Sequence, residues 1–293
     1  MSANPVSILV PAFNEEAAID SVVRQLKALR PHDEILVIDD ASQDRTAELA
    51  KAAGAEVVRH SYNLGYGGAL KTGIRHARHD TVVFFDADDQ FHPEDIGRLV
   101  EALKDCDMAV GERPKGSGAL SRRSGKWFLY RVANYLVGHE IPDLNCGLRA
   151  LPRDLAMQFL HLLPNGFSLT TTITLAVMRS GYQVHYLPVG LKSRTTGKSR
   201  VSFRDFFRTM LLIVRMIALF APLKIFIPSS LALAAVAIPF SVYDIWHRNI
   251  GDTTVLLWLA AMVVFFFGLL ADTVALVSRQ GPGKNPLPPV ERG

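Results

Sequence analysis

Four short apolar runs, each followed by polar residues, constrain the fold of this chain more than any other feature. They are rich in β-branched residues and predict strands over residues 6–10, 34–38, 56–59 and 82–85. Helical spacing separates them: residues 15–29 carry apolar side chains three and four positions apart, and Ser42 is the predicted N-cap of the next helix. This alternation predicts an α/β fold built on a mostly parallel, three-layer sheet.

The fourth run ends in the stretch VVFFDADDQFHP, residues 82–93, which delivers carboxylates to the edge of the sheet. Residues two apart in extended chain face the same way, so Asp86, Asp88 and Gln90 are expected on one side and Asp89 on the other. Ligand sites in open α/β sheets lie at the carboxyl ends of strands, and oxygen ligands suit Mg²⁺ or Mn²⁺. The alternative is a polar turn that only closes the strand.

A glycine-rich loop follows the third run, with Gly65, Gly67 and Gly68 ahead of a helix predicted over residues 69–77. It does not match the dinucleotide fingerprint, because Leu70 stands where the third glycine is required. The chain has no GxxxxGK[ST] sequence either, which excludes a P-loop. Two interpretations stay open: close approach to a nucleotide, or a tight turn.

The composition and the first apolar run indicate the cellular compartment of the amino-terminal domain. The chain has 293 residues and a mean hydropathy of +0.17, because apolar residues are concentrated in its last third. Its two cysteines, Cys106 and Cys146, cannot build a disulfide framework and form no CxxC pair, which argues against a structural zinc site. The early apolar run lacks a basic flank and contains Pro11, so we expect no signal peptide and a cytosolic amino-terminal domain.

The last third predicts membrane segments. Residues 202–221 are amphipathic, and an interfacial helix or a core helix of the preceding domain would both fit. Residues 225–245 and 254–277 are close to the roughly 20 apolar residues that cross a bilayer. Basic residues flank the pair, while the link carries two aspartates against one arginine, so both termini are expected in the cytosol. Asp272 near the inner end of the second span is expected to pair with a basic residue, and residues 279–293 predict a disordered tail.

Four segments, VPAFNEE, VIDDASQDRT, NLGYGGALKTG and DADDQFHP, occur in this order. Together they resemble family 2 glycosyltransferases of the GT-A fold, and within that family the polyprenyl-phosphate sugar transferases. The resemblance covers residues 6–200, and the two apolar runs match the membrane-anchored branch. It implies a GT-A catalytic domain over residues 1–201, a juxtamembrane amphipathic helix, and two transmembrane helices within residues 222–278.

The resemblance also implies roles for matching residues. The donor nucleotide sugar would be bound by ten residues: Pro11, Phe13, Glu15, Asp39, Asp40, Asp86, Ala87, Asp88, Arg194 and Arg200. The metal would be held by Asp86, Asp88 and Gln90. Phe13 stands where these enzymes often carry tyrosine, which removes a hydroxyl contact.

On the acceptor side, the implied phosphate ligands are Arg113, Arg149 and Lys198, and the implied catalytic residues are Asp88, Arg113 and Asp143. The stretch DLNCGLRA, residues 143–150, resembles a segment that lies under the acceptor site. One departure follows Gly166 and Phe167, where relatives tend to carry acidic residues. This chain has Thr170, Thr171 and Thr172, which leaves the sugar open.

The sequence therefore predicts a metal-dependent, inverting glycosyltransferase in a membrane, the plasma membrane if the source is bacterial. It would move one hexose from a nucleoside diphosphate sugar, of the GDP-mannose or UDP-glucose type, to a polyprenyl phosphate. We expect no nucleic-acid partner, and a homo-oligomer stays open. The rivals are a processive polysaccharide synthase, whose Q-x-x-R-W element is absent from the sequence, and a catalytically silent scaffold.

Overall fold

A computed structural model describes residues 5–114, 131, 134, 135, 138, 140–192 and 220–279. Seven strands form one sheet in the order β3-β2-β1-β4-β6-β5-β7. The strands are β1 Ser7–Ala12, β2 Glu34–Asp39, β3 Glu56–Arg59, β4 Thr81–Phe84, β5 Met108–Glu112, β6 Arg149–Pro152 and β7 Val184–Pro188. Strand β6 runs antiparallel to β4 and β5, and every other pairing is parallel. The predicted α/β fold with a mostly parallel sheet is confirmed.

Helices cover both faces of the sheet, as strand-to-strand crossovers in a parallel sheet require. They are α1 Ile19–Leu29, α2 Thr46–Ala52, α3 Tyr66–His76, α4 Asp95–Ala102, α5 Arg153–Phe159 and α6 Leu169–Arg179. Helix α1 buries Ile19, Val22, Val23 and Leu26, the stripe that its apolar spacing predicted. It starts four residues later than expected, because residues 15–18 form a turn in which Glu15 accepts the first hydrogen bonds.

The predicted N-cap at Ser42 is wrong. Helix α2 begins at Thr46, and the Thr46 backbone N–H donates to Asp44 Oδ1 at 3.0 Å. Ser42 instead ties two loops together: its Oγ accepts from the Asn14 N–H, and its own N–H donates to Asp39 Oδ1. The serine therefore organises the strand ends rather than the helix.

The antiparallel direction of β6 determines which residues lie beside the carboxyl end of β4. Because β6 is antiparallel, Arg149 at its beginning pairs with Phe84 at the end of β4. The residues just before β6 therefore lie beside the residues just after β4. This brings the segment 143–148 next to the carboxylates that follow β4.

Two long helices follow the α/β domain, α7 Leu223–His247 and α8 Asp252–Arg279. Both are long and apolar enough to cross a membrane, over Leu223–His247 and Asp252–Val277, and they pack as a hairpin. The Phe226 Cβ lies 2.5 Å from where a Cβ on Gly268 would stand, so glycine there permits close helix packing. These bounds agree with the two apolar runs in the sequence, and the helices are candidate membrane spans.

The first residues of the hairpin are hydrogen-bonded to the α/β domain. Phe220 is fully buried in the domain's core, and its carbonyl accepts from Arg179 Nη2 at 3.0 Å. Lys224 and Tyr135 exchange two hydrogen bonds, Nζ to the tyrosine carbonyl at 2.7 Å and the tyrosine OH to the lysine carbonyl at 3.1 Å. The start of α7 is thus fixed against the domain that precedes it.

Candidate active site

The carboxyl edge of the sheet carries a set of unusual backbone conformations. Asn14, Ala41 and Asp89 have φ values of 56°, 62° and 53°, and they follow β1, β2 and β4 respectively. Left-handed backbone is costly for residues other than glycine and is concentrated at functional sites. Three loops at one edge are therefore held in shapes that the chain does not adopt by default.

Asp86 lies at the centre of this edge and is held from two sides. Its Oδ1 accepts a hydrogen bond from the Tyr66 OH at 2.9 Å. Its Oδ2 lies 2.2 Å from the position that a Cβ on Gly147 would occupy, so only glycine leaves room for the carboxylate. The side chain keeps partial solvent access despite these contacts.

Burial raises the pKa of Asp86 to about 6, and the negative charge of Asp88 adds to this effect. The Tyr66 hydrogen bond, Arg113 and Arg149 oppose it only in part. Burial and the charge of Asp86 likewise raise the pKa of Tyr66 well above its usual value, so its hydroxyl stays protonated as a donor. The site has two carboxylates close together and a deficit of positive charge.

The predicted metal ligands occur together in this loop. Gln90 donates from Nε2 to Asp88 Oδ2 at 2.7 Å and from its backbone N–H to Asp88 Oδ1 at 3.3 Å. Within the described residues, no group of three or more His, Cys, Asp or Glu side chains forms a closed cation cage. Two mutually repelling carboxylates fit a divalent cation that completes its shell with water and substrate phosphates, as Mg²⁺ usually does.

Asp40, a predicted donor contact, is saturated by the protein. It is 3% exposed, and its carboxylate accepts from the Leu64 N–H at 2.8 Å and the Gly65 N–H at 2.7 Å. His60 Nδ1 lies 2.7 Å from Oδ1, and its Nε2 contacts Thr72 Oγ1 at 2.9 Å. Asp40 therefore fixes the start of the glycine loop in this structure.

Asp39 differs from its neighbour. Its Oδ1 accepts from the Ser42 N–H, but its buried Oδ2 has no hydrogen-bond partner. Arg59 Nε is 3.0 Å from Oδ2, yet that contact lacks hydrogen-bond geometry, so we regard it as a charge contact only. Of the two aspartates at the end of β2, Asp39 keeps the capacity for a further partner.

The glycine loop contacts protein rather than empty space. A Cβ on Gly67 would lie 2.2 Å from the Pro164 carbonyl oxygen, and one on Gly65 would lie 2.7 Å from the Asn165 carbonyl oxygen. Gly68 also donates its N–H to the Asn165 carbonyl at 3.0 Å. These glycines admit the backbone of residues 164–166, an explanation that neither sequence interpretation included.

Tyr66 links this loop to the carboxylates. Its ring stacks on Phe167 with centroids 5.3 Å apart and planes 20° apart, while its hydroxyl holds Asp86. Phe167 is 81% exposed, which is unusual for a large apolar ring beside a polar site. Tyr66 thus couples the residue 164–167 loop to Asp86.

Arg113 and Asp143 form a two-pronged ion pair. The distances are 2.7 Å from Nε to Oδ2 and 2.9 Å from Nη2 to Oδ1. Burial acts to raise the pKa of Asp143, but the Arg113 guanidinium and two backbone N–H groups outweigh it and hold the pKa below its usual value. Such a carboxylate is a weak proton acceptor, so Asp143 fits the role of orienting Arg113 better than that of a general base.

The assignment of Arg149 to an acceptor phosphate needs correction. The side chain is fully buried, and its guanidinium donates to the Thr170 carbonyl at 2.9 Å, to Thr174 Oγ1 at 3.1 Å and to the Cys146 carbonyl. A guanidinium enclosed in this way cannot touch a phosphate in this structure. Arg149 instead joins β6 to helix α6.

Of the remaining predicted site residues, four lie in the described part of the chain and three lie outside it. Pro11 and Ala87 are buried, Phe13 is 44% exposed, and Glu15 is partly exposed at the turn before α1. Arg194, Lys198 and Arg200 lie outside the described residues. Lys192, just before them, donates to Asp89 Oδ1 at 2.7 Å and to Gln25 Oε1 at 2.9 Å.

Comparisons with known proteins agree with this geometry. The sequence model described as "Glycosyl transferase family 2" matches residues 7–159, more than half of the chain. The chain belongs to glycosyl transferase family 2. The model described as "GtrB C-terminal hairpin" matches residues 221–277, which are the two long helices.

Several curated relatives of this family 2 glycosyltransferase resemble it over most of the catalytic domain. The uncharacterized protein MJ1222 of Methanocaldococcus jannaschii is 31% identical over 200 residues, 64% of this chain and 82% of the relative. The undecaprenyl-phosphate mannosyltransferase of Micrococcus luteus is 27% identical over 212 residues, 67% of this chain and 87% of the relative. An undecaprenyl-phosphate 4-deoxy-4-formamido-L-arabinose transferase of Shewanella sediminis is 29% identical over 226 residues, 70% of this chain and 64% of the relative.

Solved structures support the fold. Glucosyl-3-phosphoglycerate synthase from Mycobacterium tuberculosis, crystallised with Mn²⁺, uridine diphosphate and phosphoglyceric acid, superposes with a TM-score of 0.61. The identity is 22%, and the match covers 73% of this chain and 78% of the synthase. At this identity the likeness establishes the GT-A fold and no more.

Sequence reasoning missed two residues that hold Asp86 in place. Tyr66 opens helix α3 inside a motif in which only the glycines suggested a role. Gly147 lies in the stretch DLNCGLRA, which gave no local sign that β6 would reverse. The cluster of motifs at strand ends was the available signal, since parallel strands bring their carboxyl ends to one edge.

Proposed function

We propose that this glycosyltransferase moves one hexose from a nucleoside diphosphate sugar to a polyprenyl phosphate at the cytosolic face of a membrane, with inversion at the anomeric carbon. One observation carries the proposal. The Asp86–Asp88 carboxylates and the Arg113–Asp143 ion pair lie at the same sheet edge, and the segment 143–147 contacts both. A site for a diphosphate–metal group and a site for an anionic acceptor would then adjoin.

The reaction needs little from a general base. An oxygen of the acceptor phosphate, already anionic, would attack the anomeric carbon, while the bond from that carbon to the diphosphate oxygen breaks. The electron pair leaves with the nucleoside diphosphate. Asp86 and Asp88 would hold Mg²⁺ or Mn²⁺, which when bound offsets the charge growing on the leaving group. Tyr66 holds Asp86 in place, and Asp143 holds the Arg113 fork toward the acceptor side.

The two candidate spans support a location at the membrane surface. Anchoring through α7 and α8 would hold the site near the interface where a lipid phosphate lies, and the Lys224–Tyr135 contact would fix its height. A cysteine at Asn249, in the link between the helices, should react with an impermeant reagent added outside intact cells, and one at Asn285 should not. The reverse pattern would place the site on the wrong side for cytosolic nucleotide sugars.

A donor screen tests the activity itself. Membranes containing the full chain are incubated with each nucleoside diphosphate hexose and with undecaprenyl phosphate, using membranes with Asp88→Asn as the matched control. The expected product is one sugar on one lipid phosphate, released by mild acid. A ladder of longer chains would indicate a processive synthase, and nucleotide binding without any lipid-linked sugar would indicate a silent scaffold.

Arg113→Lys separates the acceptor from the donor. Lysine keeps the charge but loses the planar fork that pairs with Asp143 and fits a phosphate. Apparent binding of polyprenyl phosphate should weaken by about 1–3 kcal/mol, with a much smaller change for the nucleotide sugar. The apparent KM values for the two substrates report the split, and a change confined to the donor would contradict the proposed role of Arg113.

A further inference from the structure

The segment 143–147 joins the two halves of the site, and the residue at its middle has no assigned role. Asp143 at one end pairs with Arg113, and Gly147 at the other packs against Asp86. Asn145 therefore lies between the residues proposed for the acceptor phosphate and those proposed for the donor.

Asn145 is held in one orientation by two hydrogen bonds. Its backbone N–H donates to Asp143 Oδ1 at 3.0 Å. Its side-chain Oδ1 accepts from Thr171 Oγ1 at 2.7 Å, and Thr171 is fully buried in helix α6. The amide oxygen is thus directed into the protein by a rigid partner.

The other half of the amide is open. Oxygen and nitrogen of an amide diverge from the same carbon, so a side chain with its oxygen turned inward presents its NH₂ group elsewhere. Among the described residues, Asn145 Nδ2 has no hydrogen-bond partner, and it is not among the buried unsatisfied atoms. The residue is partly exposed. It offers a neutral, oriented donor beside Arg113.

We propose that Asn145 donates a hydrogen bond from Nδ2 to an oxygen of the acceptor phosphate, and that Thr171 is the positioning residue that keeps this donor outward. The inference rests on the proposed function and names a further contact within it. Phosphate oxygens only accept hydrogen bonds, and an amide NH₂ only donates. Because Asp143 already balances the charge of Arg113, a second donor adds recognition without adding charge.

The hydrogen-bonding character of residue 171 determines which end of the Asn145 amide faces outward. A carboxylate at position 171 would only accept hydrogen bonds, so it would draw the Asn145 NH₂ inward and turn its oxygen toward the substrate. The Thr171 hydroxyl donates instead and leaves the NH₂ outward. In this way a buried residue sets the polarity that Asn145 presents to an anionic ligand.

Binding to the full chain in detergent tests the proposal without knowledge of the donor sugar. The probes are undecaprenyl phosphate, undecaprenol as the lipid without phosphate, and uridine or guanosine diphosphate for the nucleotide site. Asn145→Asp should weaken undecaprenyl phosphate binding by roughly tenfold to a hundredfold, since it replaces a donor by a negative charge. Asn145→Ala, which adds no charge, should weaken it by about tenfold. Undecaprenol and nucleoside diphosphate binding should stay within about twofold.

Two further variants sharpen the test. Thr171→Val removes the hydroxyl and keeps the shape, so it should weaken lipid-phosphate binding several-fold, whereas Thr171→Ser should restore wild-type binding. Asn165→Asp is the matched charge control, because Asn165 is exposed and its side chain makes no hydrogen bond with the described residues. It should leave lipid-phosphate binding close to that of the wild type.

The outcomes distinguish failure of the proposed function from failure of the proposed role of Asn145. A wild type that does not prefer undecaprenyl phosphate to undecaprenol overturns the proposed function. A wild type with that preference, together with Asn145→Asp and Asn145→Ala variants that keep it, overturns the role of Asn145. Loss of nucleotide-sugar use with unchanged lipid binding assigns Asn145 to the sugar and also overturns the proposal. Weak binding by Asn145→Asp but normal binding by Thr171→Val overturns the positioning role of Thr171.

Discussion

Asp40 and Asp86 both follow strands at the same edge of the sheet, yet the protein treats them in opposite ways. Asp40 is surrounded by donors: two backbone N–H groups and a histidine nitrogen lie within 2.8 Å of its oxygens. Asp86 has one hydroxyl donor, and the charge of Asp88 adds to its burial in raising its pKa to about 6. The two aspartates therefore differ in unmet electrostatic demand rather than in position, and this difference favours Asp86 as the ligand in the proposed metal site.

The largest expected effect comes from the two neighbouring carboxylates, Asp86 and Asp88, for which a metal site is proposed. Asp88→Asn removes a charge from the carboxylate pair, and transfer should fall by orders of magnitude, as for loss of a major electrostatic contribution. Chelation of wild-type enzyme with EDTA should do the same, reversibly on addition of Mn²⁺ or Mg²⁺. Initial rates of lipid-linked sugar formation measure both, and full activity in EDTA would remove the case for a metal.

Substituting each aspartate by asparagine should move stability in opposite directions. Asp40→Asn places an NH₂ group against either the Leu64 or the Gly65 N–H group, and a buried donor left without an acceptor costs about 1–3 kcal/mol. Asp86→Asn removes a charge that the metal-free fold holds at a cost, so at pH 7 it should stabilise the protein by about 1–3 kcal/mol. Unfolding of purified protein in EDTA measures both.

The pH dependence of stability tests whether ionisation of Asp86 causes the stabilisation expected for Asp86→Asn. The folded pKa of Asp86, about 6, lies above its usual value of 3.8, so its contribution to stability is present at low pH and is lost as pH rises from about 4 to about 6. The advantage of Asp86→Asn should therefore vanish near pH 4. An advantage that persists there would show that ionisation of Asp86 is not its cause.

Tyr66→Phe should give the smallest effect and the most specific one. It keeps the ring that stacks on Phe167 but removes the hydrogen bond that lowers the pKa of Asp86. The apparent affinity for Mn²⁺ should fall as pH drops below about 6, where Asp86 of the metal-free protein gains a proton. In the variant this acid limb should move to higher pH by about half to one unit. Tyr182→Phe loses a comparable hydrogen bond, to Gln158, far from the edge, and its pH profile should match the wild type.

The sequence pattern was sufficient to predict the elements whose structure depends on nearby residues in the chain. The first four strands were predicted to within two residues of their observed ends. Strands β1, β2 and β4 are mostly buried and therefore need unbroken apolar runs, whereas β3 is an edge strand whose two end residues are exposed. The stripe of helix α1 and the two apolar spans followed from spacing and length in the same way. The reversal of β6 gave no local signal, since an antiparallel strand within a buried sheet has the same composition as a parallel one.

In the site, too, residues close together in the sequence could be predicted, and contacts between distant parts of the chain could not. Asp86, Asp88 and Gln90 were predicted together because they are neighbours in sequence, and the structure keeps them together. Arg149 was misassigned because its motif does not reveal that carbonyls of α6 and of its own loop enclose the guanidinium. The contact between Gly67 and Pro164 joins distant parts of the chain, so no window around the glycines could have predicted it.

The burial of Phe220 has a practical consequence for anyone who wishes to study the catalytic domain without its membrane anchor. The ring belongs to the domain's core although it precedes α7 by only a few residues. A chain truncated before Phe220 would leave a cavity the size of a phenylalanine side chain, which typically costs about 3–5 kcal/mol. It would also leave Arg179 without the carbonyl that it binds. Truncation after Ala221 keeps both, so versions of the domain without the hairpin should end between Ala221 and the first turn of α7.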